Sequence, residues 1–115
     1  MEMSLDYLRE TVDFFRARGF EVDSEEERVE RDGVEVHTTH RSILCREPRE
    51  HFALSCVRYP DGVETYWLEI RDFHGLRAFD TELDSWRHGD DQVEFKYYAR
   101  EDGVALAFTL ELPPP

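Results

Sequence analysis

Two runs of alternating apolar residues meet at Tyr59-Pro60-Asp61-Gly62, and nothing else in the chain restricts the fold as strongly. Pro60 presets φ for a type I turn, and Gly62 can take the left-handed conformation of a bulge. The resulting three-residue loop opposes Arg58 to Glu64, Cys56 to Tyr66, Leu54 to Leu68 and Phe52 to Ile70. Every large apolar residue then falls on one face. A slip of one residue would turn the whole set to the other face, so the pattern selects this register. The same parity sends Trp67, Glu69 and Arg71 to the opposite face.

Two further turn signals extend the reading. A two-residue turn at Asp32-Gly33 opposes Val29 to Val36 and Arg28 to His37, and sets Glu30 against Glu35. Like charges so placed are unfavourable at low salt. A two-residue turn at Asp102-Gly103 opposes Tyr97 to Phe108, Phe95 to Leu110 and Val93 to Leu112. The uninterrupted alternation of Val104, Leu106, Phe108, Leu110 and Leu112 marks a strand. Tyr98 there points away from Tyr97, as Trp67 points away from Tyr66.

The remaining segments are one long helix, one short helix and a connection. Ser4 to Gly19 reads as an amphipathic helix, with Ser4 as cap, Leu5, Leu8, Val12 and Phe15 as an apolar stripe, and Gly19 as terminator. Residues 41–50 read as a polar connection carrying Ile43 and Leu44, strand-like in part. Between Asp72 and Asp91, Thr81 with Asp84 has the form of a capping box, Leu83 and Trp86 would face inward, and Gly89 would end the turn. This predicts a short late helix.

The expected class is α+β: an N-terminal helix packed on a mainly antiparallel sheet of about six strands built from hairpins. Residues 1–112 make a single domain, and residues 113–115, all proline, an exposed polyproline tail.

Charge narrows the function. The 115 residues carry 27 acidic and 14 basic side chains, a formal net charge of -13. Lys96 is the sole lysine. Such a surface repels phosphate backbones and anionic lipid, which argues against nucleic acid or a membrane as partner. It fits a haloadapted surface, a face that meets a basic protein, or the Arg-over-Lys bias of a GC-rich genome. The start Met1-Glu2-Met3 leads into a charged helix without a signal-peptide pattern, and two cysteines cannot staple a secreted scaffold. A cytoplasmic protein with free thiols at Cys45 and Cys56 is the expectation.

Pro60-Asp61 followed by Glu69-Ile70-Arg71 resembles the outline of the PD-(D/E)xK nuclease motif, which would imply two carboxylates on Mg²⁺ and a lysine activating water. Arg71 stands at the lysine position and cannot release a proton. Pro60-Asp61-Gly62 is better explained as a turn, and the net charge opposes DNA. His37, His40, His51, His74 and His88 lack ligand spacing. His37 and His40, three apart on a strand, point to opposite faces. A zinc site from His40, Cys45 and His51 is the best metal alternative. No nucleophile elbow, P-loop or dinucleotide fingerprint is present.

The sequence therefore assigns no catalytic residue, metal ligand or cofactor. It points to a non-enzymatic binding module, inhibitor- or adaptor-like, whose partner is a protein of basic character and which is compatible with a homodimer. Its binding residues would be Trp67, Tyr98, Glu69 and Arg71. The alternative is a small-molecule binder or small enzyme with a pocket between helix and sheet, using histidines as acid/base groups.

Overall fold

A computed structural model describes residues 3–98 and 105–111. Helix α1 (Leu5–Arg16) precedes seven strands: β1 (Glu21–Arg31), β2 (Val34–Arg46), β3 (Glu50–Arg58), β4 (Glu64–Phe73), β5 (Phe79–Gly89), β6 (Gln92–Tyr98) and β7 (Ala105–Glu111). The strands form one antiparallel sheet in sequential order, a meander in which each strand pairs with its neighbours in the chain. The class is α+β with an antiparallel sheet, as expected.

The helix begins and ends where its chemistry dictates. The Ser4 side chain accepts the Tyr7 N–H at 3.1 Å. At the other end Gly19 takes φ 88°, a left-handed value that a Cβ would penalise. That turn lets Phe20 N–H reach the Phe15 carbonyl at 3.3 Å. It also brings the Phe15 and Phe20 rings together edge to face at 5.2 Å. Leu5, Tyr7, Leu8, Thr11, Val12 and Phe15 are buried. They meet one face of the sheet, where Leu44, Phe52, Leu54, Cys56, Leu68, Ile70, Val93 and Phe95 are at most 1% exposed. The helix contacts β1, β2, β3 and β5, so it covers the middle of this inner face.

The hairpin at Tyr59–Gly62 has the expected register throughout, including Leu54 with Leu68 and Phe52 with Ile70. At Asp32-Gly33 the turn and the Glu30–Glu35 pairing are also as expected, but a bulge follows. Val29 pairs with His37 and Arg28 with Thr38, rather than Val29 with Val36 and Arg28 with His37. Val36 is the extra residue and stands 37% exposed. Arg28 lies 3.2 Å from Glu30 and 3.5 Å from Glu35, and so offsets the like-charge pair.

Three further expectations are corrected. The strand-like part of residues 41–50 covers 41–46 and is the end of β2 rather than a polar connection; it reaches β3 through a short turn at Glu47-Pro48-Arg49 with a cis Glu47–Pro48 bond. The short late helix is β5 instead, which makes seven strands rather than six among the described residues. A register shift between Leu83 and Ser85 explains the misreading. It brings Leu83 and Trp86 to the same face, a separation of three that imitates a helical stripe. The hairpin turns at Asp90-Asp91, with Asp90 at φ 53°.

The third correction is the last hairpin. Tyr97 pairs with Leu106, Phe95 with Phe108 and Val93 with Leu110, two residues away from the expected register. A slip of two leaves every residue on its original face, so apolar alternation cannot detect it. The Asp102-Gly103 turn, Leu112 and the proline tail lie outside the described residues. Among the described residues no helix is long and apolar enough to cross a membrane.

Candidate outer-face docking site

The face of the sheet opposite the helix is built in cross-strand rows. One row runs Glu25–Arg41–Ser55–Trp67–Glu82 from β1 to β5. The next runs Asp23–Ile43–Ala53–Glu69–Asp80. A third carries Glu27, Thr39, Val57 and Thr65. The ends of the first two rows, on β1 and β5, are exposed carboxylates, whereas Ile43, Val57 and Trp67 in the middle are half-buried.

Trp67 stands where strand parity places it, away from buried Tyr66, Leu68 and Ile70. Its indole N–H donates to Thr65 Oγ1 at 3.1 Å, which holds the ring along its own strand. Glu69 faces the same way. Arg71 occupies the bulge between the Ile70 and Asp72 pairings, is exposed, and contacts the Glu69 carboxylate. The Tyr98 side chain lies outside the described residues.

Arg41 is the residue that sequence reasoning missed. Its guanidinium reaches across β3 to Glu69 Oε2 at 2.9 Å and also holds Glu25 Oε1 at 3.2 Å. Ala53 and Ser55 lie in the rows between these partners and are only 1% and 9% exposed. A polar strap thus closes over small residues beside the Trp67 ring. A polar segment that reads as strand-like only in part fixes no parity, so the sequence does not say which way Arg41 points.

A second cluster sits at the β2–β3 end of the same face. Cys45 pairs with His51, and Sγ lies 3.4 Å from Nδ1 and 3.8 Å from Nε2. Glu47 Oε1 is 3.6 Å from both Cys45 Sγ and His51 Nε2. His40 does not join them. Five residues before Cys45, it points to the helix side, 3.8 Å from Glu26. Burial raises the Cys45 thiol above its ordinary range, and the Glu47 hydrogen bond and the charges of Glu47 and Glu21 raise it further. Cys56 is pushed up to about 12 by burial and by Glu64. Neither thiol is activated as a nucleophile.

On the helix side, a groove of about 230 Å³ is lined by Leu5, Leu8 and Val12 together with Ser24, His40, Ser42 and the charged residues around them. The Ser24 and Ser42 hydroxyls bond each other at 2.9 Å. His88 is not free for chemistry there. Its Nδ1 lies 2.9 Å from Thr11 Oγ1, and its ring stacks on Tyr7 at 5.2 Å.

No family model matches this chain, and no curated protein or solved structure shows significant similarity to it. What the protein does must therefore be argued from its own surface.

Proposed function

We propose that this protein is a non-catalytic binding module whose outer sheet face docks a basic protein. The observation that carries the proposal is the position of Trp67, half-buried on the open face in a row that ends in the Glu25 and Glu82 carboxylates. Interfaces concentrate binding energy in central rings surrounded by polar rims. Half-buried Ile43 and Val57 add apolar surface to the rows on either side of the Trp67 row, and a net charge of -13 selects a partner of opposite sign. Glu69 and Arg41 supply paired polar contacts at the centre, and Arg71 extends them toward the rim. Steering by such a field accelerates encounter and weakens as salt rises. A cytoplasmic, haloadapted setting is consistent with the Lys-poor acidic composition.

A small-ligand site in the helix–sheet groove is the second reading, favoured by the His40 and serine side chains above Leu5, Leu8 and Val12. At about 230 Å³ the groove falls below the roughly 300–1,000 Å³ usual for such sites.

The test begins with affinity capture at moderate salt, identification of the captured protein, and kinetics with that partner purified. Truncating a central ring costs about 2 kcal/mol or more, roughly a thirtyfold rise in dissociation rate. Trp67→Ala should show this with an unchanged association rate. Glu25→Gln with Glu82→Gln should slow association and flatten its salt dependence. A captured partner without basic character, or one indifferent to Trp67, would overturn the proposal.

A further inference from the structure

We propose that Cys45, Glu47 and His51 form a Zn²⁺-binding site at the β2–β3 hairpin, with a fourth coordination position open to water or to an incoming ligand. The three ligand atoms, Sγ, Oε1 and Nε2, make a nearly equilateral triangle with sides of 3.6, 3.6 and 3.8 Å. Metal–ligand bonds of about 2.0–2.3 Å in tetrahedral geometry set such atoms roughly 3.4–3.6 Å apart. The triangle already has the dimensions of a coordination face.

The backbone explains why the trio converges. Cys45 and His51 are directly opposed across the hairpin, and Glu47 lies in the tight turn between them. On an isolated strand the spacing Cys-x-Glu-x-x-x-His would spread these groups along its length, but the turn folds them onto one end of one face. Sγ lies 3.4 Å from Nδ1 and 3.8 Å from Nε2, so the His51 ring is within ligand reach of the thiol. The donor set combines a soft thiolate, an imidazole and a carboxylate, which suits a borderline ion such as Zn²⁺ better than Ca²⁺ or Mg²⁺. Glu21 pairs with Cys45 from β1 and Asp72 with His51 from β4. Glu21 adds negative charge that draws cations toward the trio, whereas the Asp72 carboxylate is held by Arg49 at 3.4 Å.

Nothing in this proposal depends on the Trp67 docking face. Co²⁺ is the probe, titrated into the reduced full-length protein and followed by absorption. One equivalent should produce a thiolate-to-cobalt charge-transfer band, and one equivalent of Zn²⁺ should remove it while excess Mg²⁺ should not. Cys45→Ser should abolish the band. His51→Ala should weaken binding at least tenfold, about the effect that even outer partners of metal ligands command. Cys56→Ser and His40→Ala should change neither. Absence of the band in the unmodified protein would overturn the site, as would its persistence in Cys45→Ser. So would displacement by Mg²⁺, which would reduce the binding to surface carboxylates.

Discussion

The indole N–H of Trp86 donates to Thr11 Oγ1 at 2.8 Å, and this bond ties β5 to the middle of the helix. Thr11 is 0% exposed, and its hydroxyl lies 3.0 Å from the Tyr7 carbonyl, to which it donates. The same oxygen lies 2.9 Å from His88 Nδ1, whose tautomer sets which of the two donates. The Tyr7 ring stacks on both Trp86 and His88, at 5.3 and 5.2 Å.

Removing the hydroxyl at position 11 should orphan a buried indole N–H. Thr11→Val preserves shape, so the loss should be the unmet donor, about 1–3 kcal/mol of unfolding free energy. Urea denaturation of Thr11→Val, Trp86→Phe and the double variant gives the coupling. The double variant should cost less than the sum of the singles, and strict additivity would remove the bond from the account.

His88 should make stability fall on acidification. Burial lowers its pKa, the Glu10 carboxylate opposes that shift, and Arg18 reinforces it. A base with a depressed folded pKa binds fewer protons folded than unfolded. Its contribution is thus fully present above the unfolded value of 6.5 and is lost as pH falls from there through the lower folded value. His88→Phe retains stacking and removes the titration. Its melting temperature should fall less than that of the unmodified protein between neutral and mildly acidic pH, and parallel profiles would contradict this origin.

The two faces of β4 should respond differently to truncation. Leu68 is 0% exposed under the helix, so Leu68→Ala should cost about 2–5 kcal/mol. Trp67→Ala, on the open face, should cost about 1 kcal/mol or less despite the larger side chain, near the range of surface changes. Chemical denaturation of the two variants checks the contrast. Equal losses would place Trp67 in the core and remove the docking face.

Salt should stabilise the fold. Glu25, Glu26 and Glu27 follow one another on β1, and Glu30 opposes Glu35 with only Arg28 between them. Molar potassium chloride shortens the screening length to about 3 Å and should raise the melting temperature more than it does for a neutral protein of similar size. A flat or falling curve would contradict a haloadapted surface.

The legible parts of the sequence were those in which apolar parity and a strong turn agreed. Pro60 and Gly62 pinned the second hairpin, and with it the side of the sheet on which Trp67 and Glu69 stand. The bulge at Asp84–Ser85 hid β5, because it placed Leu83 and Trp86 at a helical spacing. The slip of two in the last hairpin was invisible because it moves no side chain to another face. The metal trio was concealed by the reading of residues 41–50 as a connection strand-like only in part. A turn centred on Pro48 would have set Cys45 opposite His51 and excluded His40 by parity.

Binding of a basic partner to the outer face through Trp67 can be read directly from the indole protons. The chain has two tryptophans, one on each side of the sheet, and each indole N–H gives its own nitrogen-correlated proton resonance. The purified partner should be titrated into isotope-labelled protein and both resonances followed. The account predicts a large shift of the Trp67 signal at saturation while that of Trp86, 3% exposed and bonded to Thr11, stays in place. A shift of Trp86 with Trp67 unmoved would put the binding site on the helix side and contradict the account.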